Sequence, residues 1–339
     1  MNKRLNIIKA FCIDTGIWVY IVFTVNIVLN KISGISHQKT YYEDMPSYLV
    51  QGLLIATILF FIKGCSLGKD ILKTTLPQSQ AYYKRPSTYI MCMVFLLTIL
   101  SGWYISEFSL NDLFSMDGLE KATRLFSSLF SPNFKVLPKA VSEAIETIYM
   151  AFMATFVAIP ISFLLSFFAA KNLMSQTISQ KIVYNVVRFI LNYTRSVEPL
   201  IWAIIFIVWV GIGPFAGTLA LMLHSVASLT KLYSEQIENM DDGPYEAIKA
   251  TGAHPILGIW YGVVPQIIIP FLSFTIYRWD INVRMATIIG LVGGGGIGEL
   301  IIQYTGLSMW NEVGMIIIVL AAIVWSMDYL SSIIRQALK

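Results

Sequence analysis

Apolar residues run in long blocks along this chain, and their lengths match membrane crossings better than strands or amphipathic surface helices. A crossing helix needs about 20 mostly apolar residues. Eight segments answer that description: roughly 11–30, 48–66, 89–107, 145–170, 197–213, 215–233, 264–292 and 313–330. The second carries Lys63, and the seventh contains Arg278, Asp280 and Arg284. The first has Lys3 and Arg4 ahead of Ile17–Leu29, as a secretory leader would. Residues 30–38 hold no small-residue cleavage pattern, so an uncleaved first helix is expected. The fold class expected is all-α, a polytopic membrane protein of about eight transmembrane helices.

Composition agrees. Hydrophobic residues make up 56% and charged residues 13% of the 339 positions, against about 25% charged in a soluble domain. Lys and Arg number 24 and Asp and Glu 20, a net charge of +4. That surplus is too small to imply nucleic acid, so the placement of the basic residues matters more than their number. They gather at the N-terminus (Lys3, Arg4, Lys9), in 63–88, in the 171–188 connection (Lys171, Lys181, Arg188) and at the C-terminus (Arg335, Lys339). With eight spans all four fall on one side, which puts both termini in the cytoplasm. The 107–143 loop mixes acids and bases, as an outer loop can.

The same count places residues 233–259 in the cytoplasm. There Asp242 with Pro244 starts a helix, Glu246 suits its first turn, Gly252 stops it, and Pro255 opens a second short helix that ends before Pro265. Taken by itself, such a capped hairpin is common between spans. Its residues add more: Glu246-Ala247, Gly252 five residues after Ala247 and Pro265 thirteen after Gly252 resemble the coupling motif of permease subunits of bacterial ABC importers. Ile248, Gly262 and Val264 depart from that motif's usual Ala, Ile and Leu. Four further stretches resemble the phosphonate/phosphite-type branch of the family: Arg195-Ser-Val-Glu198-Pro199-Leu-Ile-Trp202, Gly211-Ile-Gly213-Pro214, Tyr277-Arg278-Trp-Asp280-Ile-Asn282-Val-Arg284 and Gly290-Leu-Val-Gly293 to Gly298.

The resemblance implies a type I ABC importer permease core over 81–339, with a coupling loop at 240–264. Residues 1–80, with two predicted transmembrane helices, form an N-terminal extension. It further implies that Glu246, Ala247, Gly252 and Pro265 dock on a cytoplasmic ATPase subunit. That partner binds ATP and magnesium, and this chain carries no cofactor of its own. An extracytoplasmic substrate-binding protein, a second permease copy in a homodimer, and lipid complete the expected partners. The location implied is the bacterial cytoplasmic membrane, and the cargo is phosphonate or a related small oxyanion. A permease for a different ligand, or an ion-gradient-driven anion transporter, remains the alternative at this stage.

Charges inside the seventh span single it out on physical grounds, since ionisable groups at membrane depth face protein or water. Asp280 and Arg284, four residues apart, form a structural ion pair. Arg278 lies on another face with Asn282 and has no helical neighbour of opposite charge, so the two are candidates for the substrate path. The rival for Arg278 is a bond to Glu198 or a backbone carbonyl. Glu198-Pro199 marks a helix that begins partway through the membrane, Arg195 is expected to snorkel at the interface, and His224 is expected to bond between helices.

Two other motifs fail. Gly293–Gly298 fits G-x-G-x-x-G but follows a long apolar helix in place of a strand, so a dinucleotide site is rejected; close backbone approach or a reversal is expected instead. Gly64 to Asp70 is one residue short of a phosphate loop and lacks its Ser/Thr. With Cys12, Cys65 and Cys92 far apart and three histidines in no ligand spacing, no metal site and no enzyme are expected.

Overall fold

The computed structural model describes residues 2–32, 40–62, 65–72, 86–175 and 177–338, all helix and connecting turns with no strand among them. Lys63, Gly64, Lys73, Lys84 and Arg85 lie outside the described residues. The chain divides into two compact units, residues 1–119 and 120–339. The boundary expected near residue 80 falls inside the first of these.

The first unit holds α1 (Asn2–Ile32), α2 (Thr40–Phe61), α3 (Leu67–Ile71), α4 (Pro86–Ile105) and α5 (Leu110–Leu113). α1 and α2 pack side by side, and α3 is pinned across α1 by one buried acid. Asp14 accepts hydrogen bonds from Ser66 Oγ at 2.5 Å and from the Gly68 amide at 2.7 Å. A carboxylate at this depth is tolerable because both bonds satisfy it. α6 (Met116–Leu129) spans the unit boundary. Residues 107–136, expected as a loop, thus hold two helices and a 3-10 turn at Phe134–Val136.

The second unit contains α7 (Leu137–Ala169), α8 (Ile178–Ser196), α9 (Pro199–Val210), α10 (Pro214–Glu238), α11 (Gly243–Ala250), α12 (Pro255–Gly258), α13 (Val264–Gly290), α14 (Ile297–Gly306) and α15 (Trp310–Ala337). α7 buries Ala140, Ala144, Thr147, Ala151, Ala154, Ala158, Ser162, Ser166 and Ala169. Small residues at helical spacing let neighbouring backbones approach closely, which is how helices associate where no hydrophobic force separates them from lipid. α10 meets that stripe with Ala216, Gly217 and Ala220, and Ser162 Oγ donates to the Val226 carbonyl at 3.2 Å. α13 and α15 complete the bundle, with Val283, Ala286 and Ile289 in one core and Met315, Ile316 and Val319 in another.

Among the described residues six helices are long and apolar enough to cross a membrane, beginning at Asn6, Pro86, Phe134, Pro214, Pro255 and Trp310. A seventh crossing arises if α8 and α9, bent by 91°, count as one. The sequence had led to about eight. The difference lies in two places: the apolar part of α2, Met45–Phe61, is short, and α9 has only 12 residues, about 18 Å of helix against a hydrocarbon core near 30 Å. Residues 178–196, taken above mostly as a connection, form a helix opened by a reciprocal cap between Thr177 and Gln180.

Candidate coupling hairpin and polar core

The hairpin forms as its caps dictate. Pro244 sits in the first turn of α11, and the Glu246 amide donates to the Asp242 carbonyl at 2.9 Å. Gly252 ends the turn at φ +75° with its amide on the Lys249 carbonyl, a left-handed conformation that glycine adopts freely. Glu246, Ala247, Gly252 and Pro265 are all exposed. The second helix differs from expectation: α12 does not end before Pro265 but runs through a π-helical turn, Ile259–Val263, straight into α13. Pro265 falls in the first turn of α13, where its missing amide breaks no bond.

Two residues that the sequence did not point to, Gln266 and Tyr245, hold the hairpin's base. Gln266 Nε2 donates to the carbonyls of Asp241 (3.1 Å) and Gly262 (2.7 Å), while its Oε1 accepts from the Asp241 amide at 3.2 Å. Tyr245 lies between the two helices of the hairpin: a Cβ at Gly262 would come within 2.9 Å of the Tyr245 Cα, and one at Gly258 within 3.0 Å of its ring. The glycine that departs from the family motif is thus the contact that lets α11 seat on the π turn. Clefts of about 310 and 520 Å³ open beside Tyr245 and Lys249, the larger lined also by Asn172, Asp242 and Glu246.

Deeper in the bundle, α7, α10 and α13 share a polar cluster. Asn282, fully buried, donates to Thr155 Oγ1 and Ser225 Oγ, both at 2.8 Å. Arg278, 7% exposed, gives its Nε to the same Ser225 at 3.1 Å, while its Nη2 is buried without a partner among the described residues. Neither rival partner, Glu198 nor a backbone carbonyl, takes it; a hydroxyl on α10 does. His224 stands next to Ser225, its Nδ1 likewise buried without a partner among the described residues.

On the adjacent face of α13, Arg284 pairs with Asp280 as expected. It also reaches Asp328 of α15 at 2.5 Å, a third member 44 residues along the chain. Glu198 and Pro199 open α9 as the sequence implied. The glycine run is a turn between α13 and α14, with Gly293, Gly295 and Gly296 at positive φ. It is tied down by the Gly296 amide on Glu146 Oε1 and the Ile297 amide on Thr147 Oγ1.

A membrane-spanning helical core interrupted by an exposed, clamped hairpin defines a membrane-embedded transport subunit. Residues 162–339 match the family of binding-protein-dependent transport system inner membrane components, and the chain belongs to that family. It is therefore a multi-pass inner-membrane protein with the permease core of ABC importers. Among its relatives is the phosphite transport system permease protein PtxC of Stutzerimonas stutzeri, 34% identical over 249 residues, covering 74% of this chain and 88% of that protein. The phosphate-import permease protein PhnE of Mycolicibacterium smegmatis is 34% identical over 242 residues, 71% of this chain and 44% of that one. The fold is that of the inward-facing methionine ABC transporter MetNI, at TM-score 0.54 and 20% identity over 61% of this chain and 99% of that one.

Proposed function

We propose that this chain moves a small phosphorus oxyanion, phosphite or a phosphonate, across the cytoplasmic membrane as the permease of an ATP-driven importer. The observation that carries this reading is the match to the phosphite permease over 88% of that protein's length. Both termini and the α11–α12 hairpin face the cytoplasm. A cytoplasmic ATPase subunit, holding ATP and magnesium, grips Glu246, Ala247 and Gly252, and an extracytoplasmic binding protein delivers the ligand to a pair of permease copies. Closure of the ATPase dimer moves the hairpin. The Gln266 clamp and the unbroken run from α12 into α13 pass that motion to the helix bearing Arg278 and Asn282. Arg278 Nη2 supplies a fixed donor for an oxyanion, and Asn282 orients it through Ser225. Asp280, Arg284 and Asp328 hold α13 to α15. The chain forms no covalent bond with its cargo and hydrolyses nothing; it supplies the route.

The test is ATP hydrolysis by the assembly in lipid vesicles, with binding protein and phosphite, methylphosphonate, phosphate or the cation thiamine. Stimulation by phosphite or methylphosphonate beyond phosphate supports the reading. Stimulation by phosphate alone moves the substrate to that of the mycobacterial relative, and stimulation by thiamine overturns the oxyanion.

A further inference from the structure

Helix α8 exposes more polar side chains than its packing uses. At about 100° per residue its positions fall into three sectors. Val187 and Leu191 pack with Leu165, Ala169 and Ala227. Ile182, Val186, Phe189 and Tyr193 form an exposed apolar sector. On the other flank, Lys181, Asn185, Arg188, Asn192 and Arg195 repeat at intervals of four, three, four and three residues. Arg188 is engaged, donating to the Ala169 carbonyl at 3.0 Å and to Glu238 at 2.7 Å. Lys181, Asn185, Asn192 and Arg195 are exposed, and no side-chain hydrogen bond or ion pair holds them among the described residues.

Depth decides what this flank faces. Arg188 touches the last residues of α7 and α10, whereas the Thr194 carbonyl, near the other end of α8, accepts from Trp202, which packs on the cluster of Ala220 and Leu221 toward the middle of α10. Glu238 to Leu221 is 17 residues, about 26 Å of helix. The polar flank therefore climbs from the end of the bundle toward its middle. A cation on lipid at that depth costs about 2.5–3.5 kcal/mol or more, so such side chains face water or protein. The apolar flank accounts for the lipid. His224, and Arg278 bonded to the neighbouring Ser225, lie at this level of α10, and they are two of the three buried side chains with an unpartnered nitrogen among the described residues.

We propose that Lys181, Asn185, Asn192 and Arg195 line the inner half of a water-filled anion path that opens beside the coupling hairpin and ends at Arg278. The cations draw a small oxyanion in or out, the amides replace its lost water, and the one carboxylate bonded to the stripe among the described residues, Glu238, is neutralised by Arg188. This rests on the permease reading above and extends the path to a helix the sequence left as a connection.

The test uses the complete assembly in inside-out vesicles, with Cys12, Cys65 and Cys92 changed to Ser and single cysteines at Lys181→Cys, Asn185→Cys, Asn192→Cys and Phe189→Cys. Each is exposed to an anionic and a cationic membrane-impermeant methanethiosulfonate. The stripe cysteines should react and the Phe189→Cys thiol should not. Relative to free cysteine, the anionic reagent should gain about tenfold over the cationic one, the low end of electrostatic focusing in a cleft of one sign. Three stripe positions guard against one variant failing to assemble. Equal reaction at Phe189→Cys, no reaction at any stripe position, or disulfides joining stripe cysteines of two copies would overturn the path. ATP-driven release of phosphite enclosed with binding protein in the same vesicles separates the two claims: release without stripe labelling refutes the path alone, and no release refutes the permease reading beneath it.

Discussion

Asn282 joins three spans through three hydrogen bonds, and its removal has a calculable effect. It is fully buried, and its amide nitrogen reaches Thr155 Oγ1 on α7 and Ser225 Oγ on α10 at 2.8 Å each. Ser225 Oγ also donates to Asn282 Oδ1 at 3.2 Å. Asn282→Leu removes all three bonds; Thr155 still donates to the Ala151 carbonyl and Ser225 still accepts from Arg278, but the Ser225 hydroxyl loses its acceptor. The loss is at least that of three neutral bonds between helices, each about 0.6 and at most about 1.7 kcal/mol in membrane bundles. Together this is about 2–5 kcal/mol, a shift of roughly thirtyfold to several thousandfold in the unfolding equilibrium. Unfolding in mixed micelles of increasing dodecyl sulfate, followed by circular dichroism, reads it directly. A double-mutant cycle with Thr155→Val subtracts the change in side-chain size. Coupling of about 0.6 kcal/mol or more is expected, and additivity within about 0.3 kcal/mol would refute the claim that the cluster ties α7 to α13.

Other consequences follow from the same geometry. Gly252→Val, at φ +75° with open space around it, should strain the hairpin by about 1–2 kcal/mol and weaken ATPase association in a pull-down, while Gly252→Asn, which tolerates that backbone, should do so less. Glu246→Ala should leave insertion intact and lower uptake; wild-type uptake would remove the hairpin from the mechanism. Gly290→Ala would set a Cβ 2.5 Å from the Gly295 carbonyl and should reduce folded protein in size-exclusion profiles, whereas Gly306→Ala, with nothing within 4 Å, should not. Arg284→Met should reduce folded yield by leaving Asp280 and Asp328 unpaired, though by less than the about 3–5 kcal/mol of a fully buried pair, since Arg284 is half exposed; adding Asp280→Asn should restore part of the loss.

What could be read from the sequence was local. Pro244, Gly252 and Pro199 act within one turn of themselves, so the first helix of the hairpin, its stop and the start of α9 followed from caps alone, whereas the run of α12 into α13 did not. The Asp280–Arg284 pair followed from one helical turn. What escaped depends on contacts across the bundle. Asp328 is an ordinary polar residue of α15 until α13 is laid beside it, and Ser225 and Thr155 look like any small hydroxyl in an apolar helix. Gly262 looked like a departure from a motif and is a packing contact with Tyr245. The Thr177 and Gln180 cap was a local signal that could have revealed α8, but a helix with polar and apolar flanks of equal weight scores poorly as a crossing.

The central claim, that this permease carries a small phosphorus oxyanion at the expense of ATP, is tested most directly by uptake of radiolabelled phosphite. Vesicles holding the assembly, with ATP enclosed and ion gradients collapsed by ionophores, receive loaded binding protein outside. Accumulation that needs ATP and binding protein, and falls in Arg278→Gln while assembly is preserved, is the predicted result. Uptake that persists without ATP when ion gradients are imposed, or no uptake of phosphite or phosphonate while another ligand is taken up, would contradict it.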